Sequence, residues 1–529
     1  MASLTPAAPA TPSEATSPGP LALYGALGDA LAERVPRRLW PIVVEGAFVA
    51  AYVLLRLSDA PRDLLAVWVA AAAILALVHP GSGLTVFAVM AVFSEPFVLT
   101  RDLGVKPVIL AALAAGVALR LVRRPREFPW SLPIAFGMLL AAGTLVGVAV
   151  TALRTDDAQA TAALIDWVAG PATAAIVLTT AAWAARQGSL RPLIAVTVAG
   201  VLAGAVSLAD FLDATSIRGT PLDWMVRPTR FELRLSGVIS SPNGVAALVV
   251  GPFAVCAAAA ILGRRLPVLV RAAAVGGAGI LALAMYFTYS RAALLGIFVV
   301  AVVIAWRIRR WMGAGLLVAG IVVGGLLLPG YLVSRNAAVG AEGTVDPSGV
   351  LVASDLARFN AWRASIEIWA DNPLVGIGFG RYGSIADAYG DAALNSPHNE
   401  WLRLFAEGGI VVGLVGAAWI AATVVTLARV PGWVGAGALA TALGWGVAST
   451  FNNPLLFIQV STVAFTIMGT GLARARGWPI TSGASPAPEG AAPAEATPAA
   501  PADATPDDTA PAHPDPSGQS TSPAPPTGA

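Results

Sequence analysis

Apolar runs of about 20 residues, the length a membrane-spanning helix requires, recur from residue 39 to residue 473. Only 12% of the 529 residues are charged, about half the share usual in soluble domains, and the mean hydropathy is +0.72. In hydrocarbon every backbone N–H and C=O must be paired within the protein, so only helices and closed barrels cross. Barrel strands would be shorter and would alternate. The expectation is therefore an all-α, polytopic transmembrane helix bundle of about 14 spans (12–14). They fall near 39–56, 63–79, 83–100, 107–122, 130–152, 161–184, 191–213, 241–262, 268–288, 291–307, 311–330, 401–428, 432–450 and 455–473. Residues 1–37 and 479–529 are too poor in bulky apolar side chains to fold and are expected to be disordered tails on a transmembrane domain at 38–474.

Arginine placement sets the orientation. "ERVPRR", "RLVRRPRE", "ARQGSLR", "GRR", "RIRR", "LAR" and "ARARG" share one side if the spans alternate. That side is expected to be the cytoplasm, with both termini on it. No cleavable signal peptide is expected. The one cysteine, Cys256, has no intrachain disulfide partner, and the three histidines are too scattered for a metal site. A net charge of +2 gives no reason to expect a nucleic-acid partner.

The opposite side departs from the usual rule. Its loops hold Arg218, Arg227, Arg230, Arg234, Arg291, Arg335, Arg358, Arg363, Arg381 and Arg403. Such a cluster points to an anionic ligand, because the guanidinium fork matches phosphate oxygens. For any one arginine, pairing with Asp213, Asp223, Glu232, Asp355, Glu367 or Asp371 explains it equally well. The longest loop of this side, about 331–400, contains a predicted helix in "SDLARFNAWRASIEIWADNP". Phe359, Trp362, Ile366 and Trp369 share one of its faces. It can lie at headgroup depth or pack over the bundle. The glycines of "GIGFGRYG" permit close backbone approach but are weak grounds for phosphate binding.

Four stretches carry the chemistry: "RLSGVISSPNGVAALVVGPFAV" from Arg234, which contains Asn243; "YSRAALLG", which contains Arg291; "RFNAWRASIEIWADNPLVGIGFGRYG", which contains Arg358 and Arg363; and "SPHNEWLRLFAEGG", which contains His398, Asn399 and Glu407. In this order they resemble the O-antigen ligase and polysaccharide polymerase superfamily over about 230–415. The resemblance implies a glycosyltransferase that takes a glycan from a polyprenyl diphosphate carrier on the outer face of the cytoplasmic membrane. The acceptor would be a glycan, a lipid or a protein, and no metal or other cofactor is implied. His398 would be the base, or would position the acceptor; Arg234 and Arg291 would hold the diphosphate. Asn243, Arg358, Arg363, Asn399 and Glu407 would support them, Asn399 by orienting the imidazole and Glu407 by lining the cavity.

These roles fit the residue types. A sugar hydroxyl attacks poorly until a base takes its proton, and imidazole does so near neutral pH. The departing diphosphate needs fixed cations. The plainer readings are that His398 caps the helix after it, that Arg234 pairs with Glu232, that Arg291 anchors headgroups, and that Glu407 is structural. A span count above the dozen or so common among ligases leaves ligase and polymerase both open. The rival of another class is a transporter or flippase of lipid-linked oligosaccharide, which would place charge near the midplane. Glu45, Glu95, Asp166 and Asp210 are the candidates for that. A third reading is a non-catalytic scaffold for an envelope polysaccharide complex.

Overall fold

The computed structural model describes residues 36, 39–58, 61–93, 105–125, 128–213, 217–227, 234–340, 353–390 and 396–475. The tails expected at 1–37 and 479–529 lie outside these residues, save Pro36, as do parts of the large loop. Among the described residues there are helices and no strands. The helices are α1 (Trp40–Leu57), α2 (Arg62–Val78), α3 (Pro80–Phe93), α4 (Val105–Arg123) and α5 (Leu132–Arg154). Then come α6 (Asp157–Trp167), α7 (Thr173–Arg186), α8 (Arg191–Leu212), α9 (Pro242–Leu262), α10 (Val268–Phe287) and α11 (Arg291–Ile308). The last are α12 (Arg310–Gly340), α13 (Ala353–Asp371), α14 (Tyr382–Ile385), α15 (Glu400–Ala428), α16 (Gly432–Phe451) and α17 (Ile458–Ala473). Among the described residues nine helical stretches are long and apolar enough to cross a membrane, counting α6 and α7 as one, and four more apolar helices are shorter. The chain is thus a polytopic helical bundle, as its composition required.

Helices α9, α16 and α17 form the centre. Helix α9 is apolar all round and buried along nearly its whole length, as expected of a helix ringed by other helices. It packs on α8, α10, α11, α16 and α17. Small residues let the backbones meet: a Cβ on Gly469 of α17 would lie 2.3 Å from the carbonyl oxygen of Leu178 in α7, the close approach that drives helix association in lipid. Helix starts follow local chemistry. Ser241 caps α9 by accepting from the Gly244 N–H at 3.3 Å, with Pro242 at the first turn. Asp156 caps α6 by accepting from the Gln159 N–H at 2.9 Å. Pro171, which lacks an N–H, sits in a π-helical turn at Val168–Ala172 that joins α6 to α7. There Gly170 approaches the Leu455 carbonyl so closely that a Cβ would lie 2.4 Å from its oxygen.

The predicted loop helix exists as α13 and ends before Asn372-Pro373. Its buried face is Ala361, Ala364, Ser365 and Ile368, and it packs on α15. Phe359 and Ile366, on the face expected from sequence, are exposed. The helix therefore covers the bundle with a small-residue face and leaves part of its aromatic face outward.

Candidate functional site

Helix α15 carries "HNEWLRLFAEGG" and fixes the site's geometry. Asn399 caps it, its Oδ1 accepting from the Leu402 N–H at 3.1 Å. Its side-chain oxygen is therefore engaged by the helix start. His398, just before the cap, has φ 49°. Among the described residues only Tyr289 shares a positive φ among non-glycines, also at 49°. Such backbone costs about 1–3 kcal/mol and persists only where the surroundings enforce it. Both residues lie in motif turns: Tyr289 precedes Ser290-Arg291 at the start of α11, and His398 precedes α15.

The first two motifs meet at one junction. The Arg234 Nε donates to the Thr288 carbonyl at 3.0 Å, and its Nη2 lies 3.5 Å from Asn243 Oδ1. The Leu235 N–H donates to the Phe287 carbonyl at 3.0 Å. Arg234 thus ties the start of α9 to the α10–α11 turn that holds Arg291. The connector between α16 and α17 links this junction to His398. The Ser396 hydroxyl donates to Asn453 Oδ1 at 3.3 Å. A Cβ on Gly244, in the first turn of α9, would lie 3.5 Å from the Phe457 ring. The starts of α9 and α15 therefore lie at the same end of the bundle, with Arg234 and Asn243 at the first and His398 at the second. Asn452 and Asn453 of this connector are not among the residues singled out by the motifs. Both are buried, and the Nδ2 atom of each has no hydrogen-bond partner among the described residues. Two asparagines before a proline were the available signal.

Glu407 has a different place. The buried Arg403 guanidinium faces Glu407 (Nε–Oε2, 3.0 Å), Glu400 (Nη1–Oε1, 3.6 Å) and Asp166 of α6 (Nη2–Oδ2, 3.4 Å). It also lies over the Phe379 ring, 4.5 Å from its centroid. The second oxygen of Glu407 accepts from the Tyr382 N–H at 3.1 Å, and that of Glu400 from the Leu455 N–H at 3.2 Å. These contacts support the structural reading of Glu407. Arg403, counted above among ligand-facing arginines, is committed to three carboxylates instead.

The glycine-rich loop is committed as well. Helix α15 is broken at Gly409 (φ 70°, ψ −172°), and the loop fills the break. The Ile377 and Gly378 N–H groups donate to the Ala406 and Glu407 carbonyls at 3.1 and 3.0 Å. The Ile410 N–H donates to the Pro373 carbonyl at 2.8 Å, and that of Phe379 to Gly147 of α5 at 3.1 Å. Backbone groups freed by the break are thus paired inside the protein, as a low-dielectric setting demands. These N–H groups pair with helix carbonyls, which leaves the loop no phosphate cradle at these positions. A Cβ on Gly409 would lie 2.2 Å from the Leu374 oxygen. Gly409→Ala is expected to cost at least about 1–3 kcal/mol, read as a lower melting temperature in detergent. Gly276→Ala, where nothing lies within 4 Å, is expected to be neutral or mildly stabilising.

Other arginines of the expected cluster divide by partner. Arg218 forms a two-pronged bond to Asp210 at 2.7 and 3.0 Å, and this bond raises its pKa above the ordinary guanidinium value. Arg381 donates to the Ile377 carbonyl at 3.0 Å; burial, then the neighbouring Arg154, lower its pKa. Arg363 pairs with Glu367 at 3.7 Å on an exposed surface, which contributes little. Arg230 and Glu232 lie outside the described residues, so the Arg234–Glu232 pairing has no place here, and the side chain of Arg335 is likewise not described.

Fold and site together define a multi-pass helical membrane protein with arginines and a strained histidine at one end of its bundle. Residues 276–416 match the family model described as O-antigen ligase. The match bears out the resemblance read from the motifs and supports glycan transfer or ligation at a membrane as the kind of function. It takes in Arg291, Arg358, Arg363, His398, Asn399 and Glu407; Arg234 and Asn243 precede it. Among the curated proteins, none matches the chain.

Proposed function

We propose that this protein transfers or polymerises an oligosaccharide from a polyprenyl diphosphate carrier onto a glycan, lipid or protein acceptor at the outer face of the cytoplasmic membrane. In this reading about fourteen apolar segments (12–14) cross, both termini are cytoplasmic, and the His398 end faces outward. His398 takes the proton of the acceptor hydroxyl as its oxygen bonds to the anomeric carbon. The bond from that carbon to the diphosphate oxygen breaks, and the diphosphate leaves with its negative charge held by Arg234 and Arg291. No metal takes part. The observation that carries the reading is the bond from Arg234 to the Thr288 carbonyl. It brings the first motif to the turn that holds Arg291, at the end of the bundle where His398 lies.

The transporter reading finds no comparable support. Of its candidate charges, Glu45 pairs with Arg191 at 2.8 Å, Asp210 with Arg218 and Asp166 with Arg403. Ion pairing accounts for each, and Glu95 lies outside the described residues.

The test is release of polyprenyl diphosphate from a purified lipid-linked glycan in detergent micelles. Arg234→Ala and Arg291→Ala are each expected to slow it by about 10²–10³, the usual loss when a transition-state charge contact goes. Lysine at either position is expected to restore little, because a point charge cannot replace the fork. Full activity in both alanine variants, with wild type active, would reject the diphosphate assignment.

A further inference from the structure

The opposite end of the bundle holds a cavity that the transfer reaction does not use. Helix α7 runs from the π turn, against Leu455, to Arg186, so its last turn lies at the far end from His398. There a cavity of about 480 Å³ opens among the ends of α2, α4 and α7. Arg120, Arg123, Arg124, Trp183 and Gln187 line it, together with the apolar Leu77, Val78 and Leu119. No carboxylate lines it among the described residues. Arg120 is spent on structure: its guanidinium donates to the Leu77, Val78 and Gly116 carbonyls and stacks over Trp183, 5.1 Å from the ring centroid. It closes the end of α2 and lines the cavity. Arg123 and Arg124 stand exposed at the rim, beside the outward-facing Val122 and Val78.

This combination is specific in chemistry. Two rim guanidinia call for a phosphate, which arginine binds as a fork. A wall of leucine and valine that continues onto an exposed apolar flank calls for an acyl chain. Basic pockets between helix ends are the usual seats of anionic headgroups. A soluble phosphate would meet the guanidinia but leave the apolar flank uncovered. We propose that this cavity binds one anionic phospholipid, with its phosphate on Arg123 and Arg124 and its chains along Leu77, Val78 and Leu119. The site is independent of the glycan-transfer reading. By the arginine orientation it lies in the cytoplasmic leaflet.

The test is native mass spectrometry of the full chain, released from detergent after incubation with equimolar phosphatidylglycerol and phosphatidylcholine. Wild type is expected to retain phosphatidylglycerol preferentially. Arg123→Ala and Arg124→Ala are each expected to lower that retention about fivefold, and the pair by more. Arg120 is left intact because it closes α2. Arg123→Lys/Arg124→Lys keeps the charge and is expected to retain more lipid than the alanine pair, which separates binding from folding. Equal retention of phosphatidylglycerol by wild type and the alanine pair would overturn the proposal. So would a wild type that is stabilised by inorganic phosphate alone but keeps no preference between the lipids.

Discussion

Replacing His398 with asparagine is expected to abolish glycan transfer while the protein still inserts and folds. Asparagine tolerates the left-handed backbone that His398 adopts at φ 49°, so this change isolates the imidazole from the turn that holds it. Loss of a positioned general base costs about 10²–10⁴ in rate. His398→Ala removes the same base but carries the backbone penalty too, so its melting temperature is expected to fall below that of His398→Asn. If histidine served only to begin α15, asparagine would keep activity, because Asn399 already supplies the cap.

Arg403→Ala is expected to have the largest effect on stability. It leaves Glu400 and Glu407 buried with no cation between them, and Asp166 loses the same partner. Removing one member of a buried ion cluster costs about 3–5 kcal/mol, and the loss should appear as poor recovery of folded protein and a lower melting temperature in detergent. The triple change Arg403→Met, Glu400→Gln, Glu407→Gln is expected to recover much of that loss, because neither fully buried acid then carries a charge and Asp166, whose side chain is 40% exposed, can be solvated. A single alanine variant as stable as wild type would show that the cluster does not hold α15. Glu400 also accepts from Leu455 in the α16–α17 connector, so the cluster fixes the helix start that presents His398.

The helices were legible in the sequence because bilayer thickness and backbone pairing leave few alternatives. Each expected span contains a helix wherever its residues are described. The α15 cluster was half legible. Glu400, Arg403 and Glu407 recur at intervals of three and four residues, one face of a helix, yet Arg403 read as a ligand contact while its spacing from both acids went unused. Asp166 lies 237 residues away from Arg403, and no local pattern announces such a partner. The glycine loop misled for a related reason. Glycines that admit a phosphate and glycines that admit another helix backbone are the same in sequence, and only the break at Gly409 shows which applies. The asparagines of the connector offered only a weak signal, an Asn-Asn-Pro turn, because a turn residue and a buried amide share the same letters.

The most direct test of the account is the surface-polysaccharide profile of a deletion strain complemented with wild type or with His398→Ala at equal expression. The account predicts that deletion removes the long glycan and that only wild type restores it. Single repeat units left in the mutant would mark a polymerase, and carrier-linked polymer a ligase. Full restoration by His398→Ala would contradict the central claim that the imidazole at the start of α15 carries the transfer.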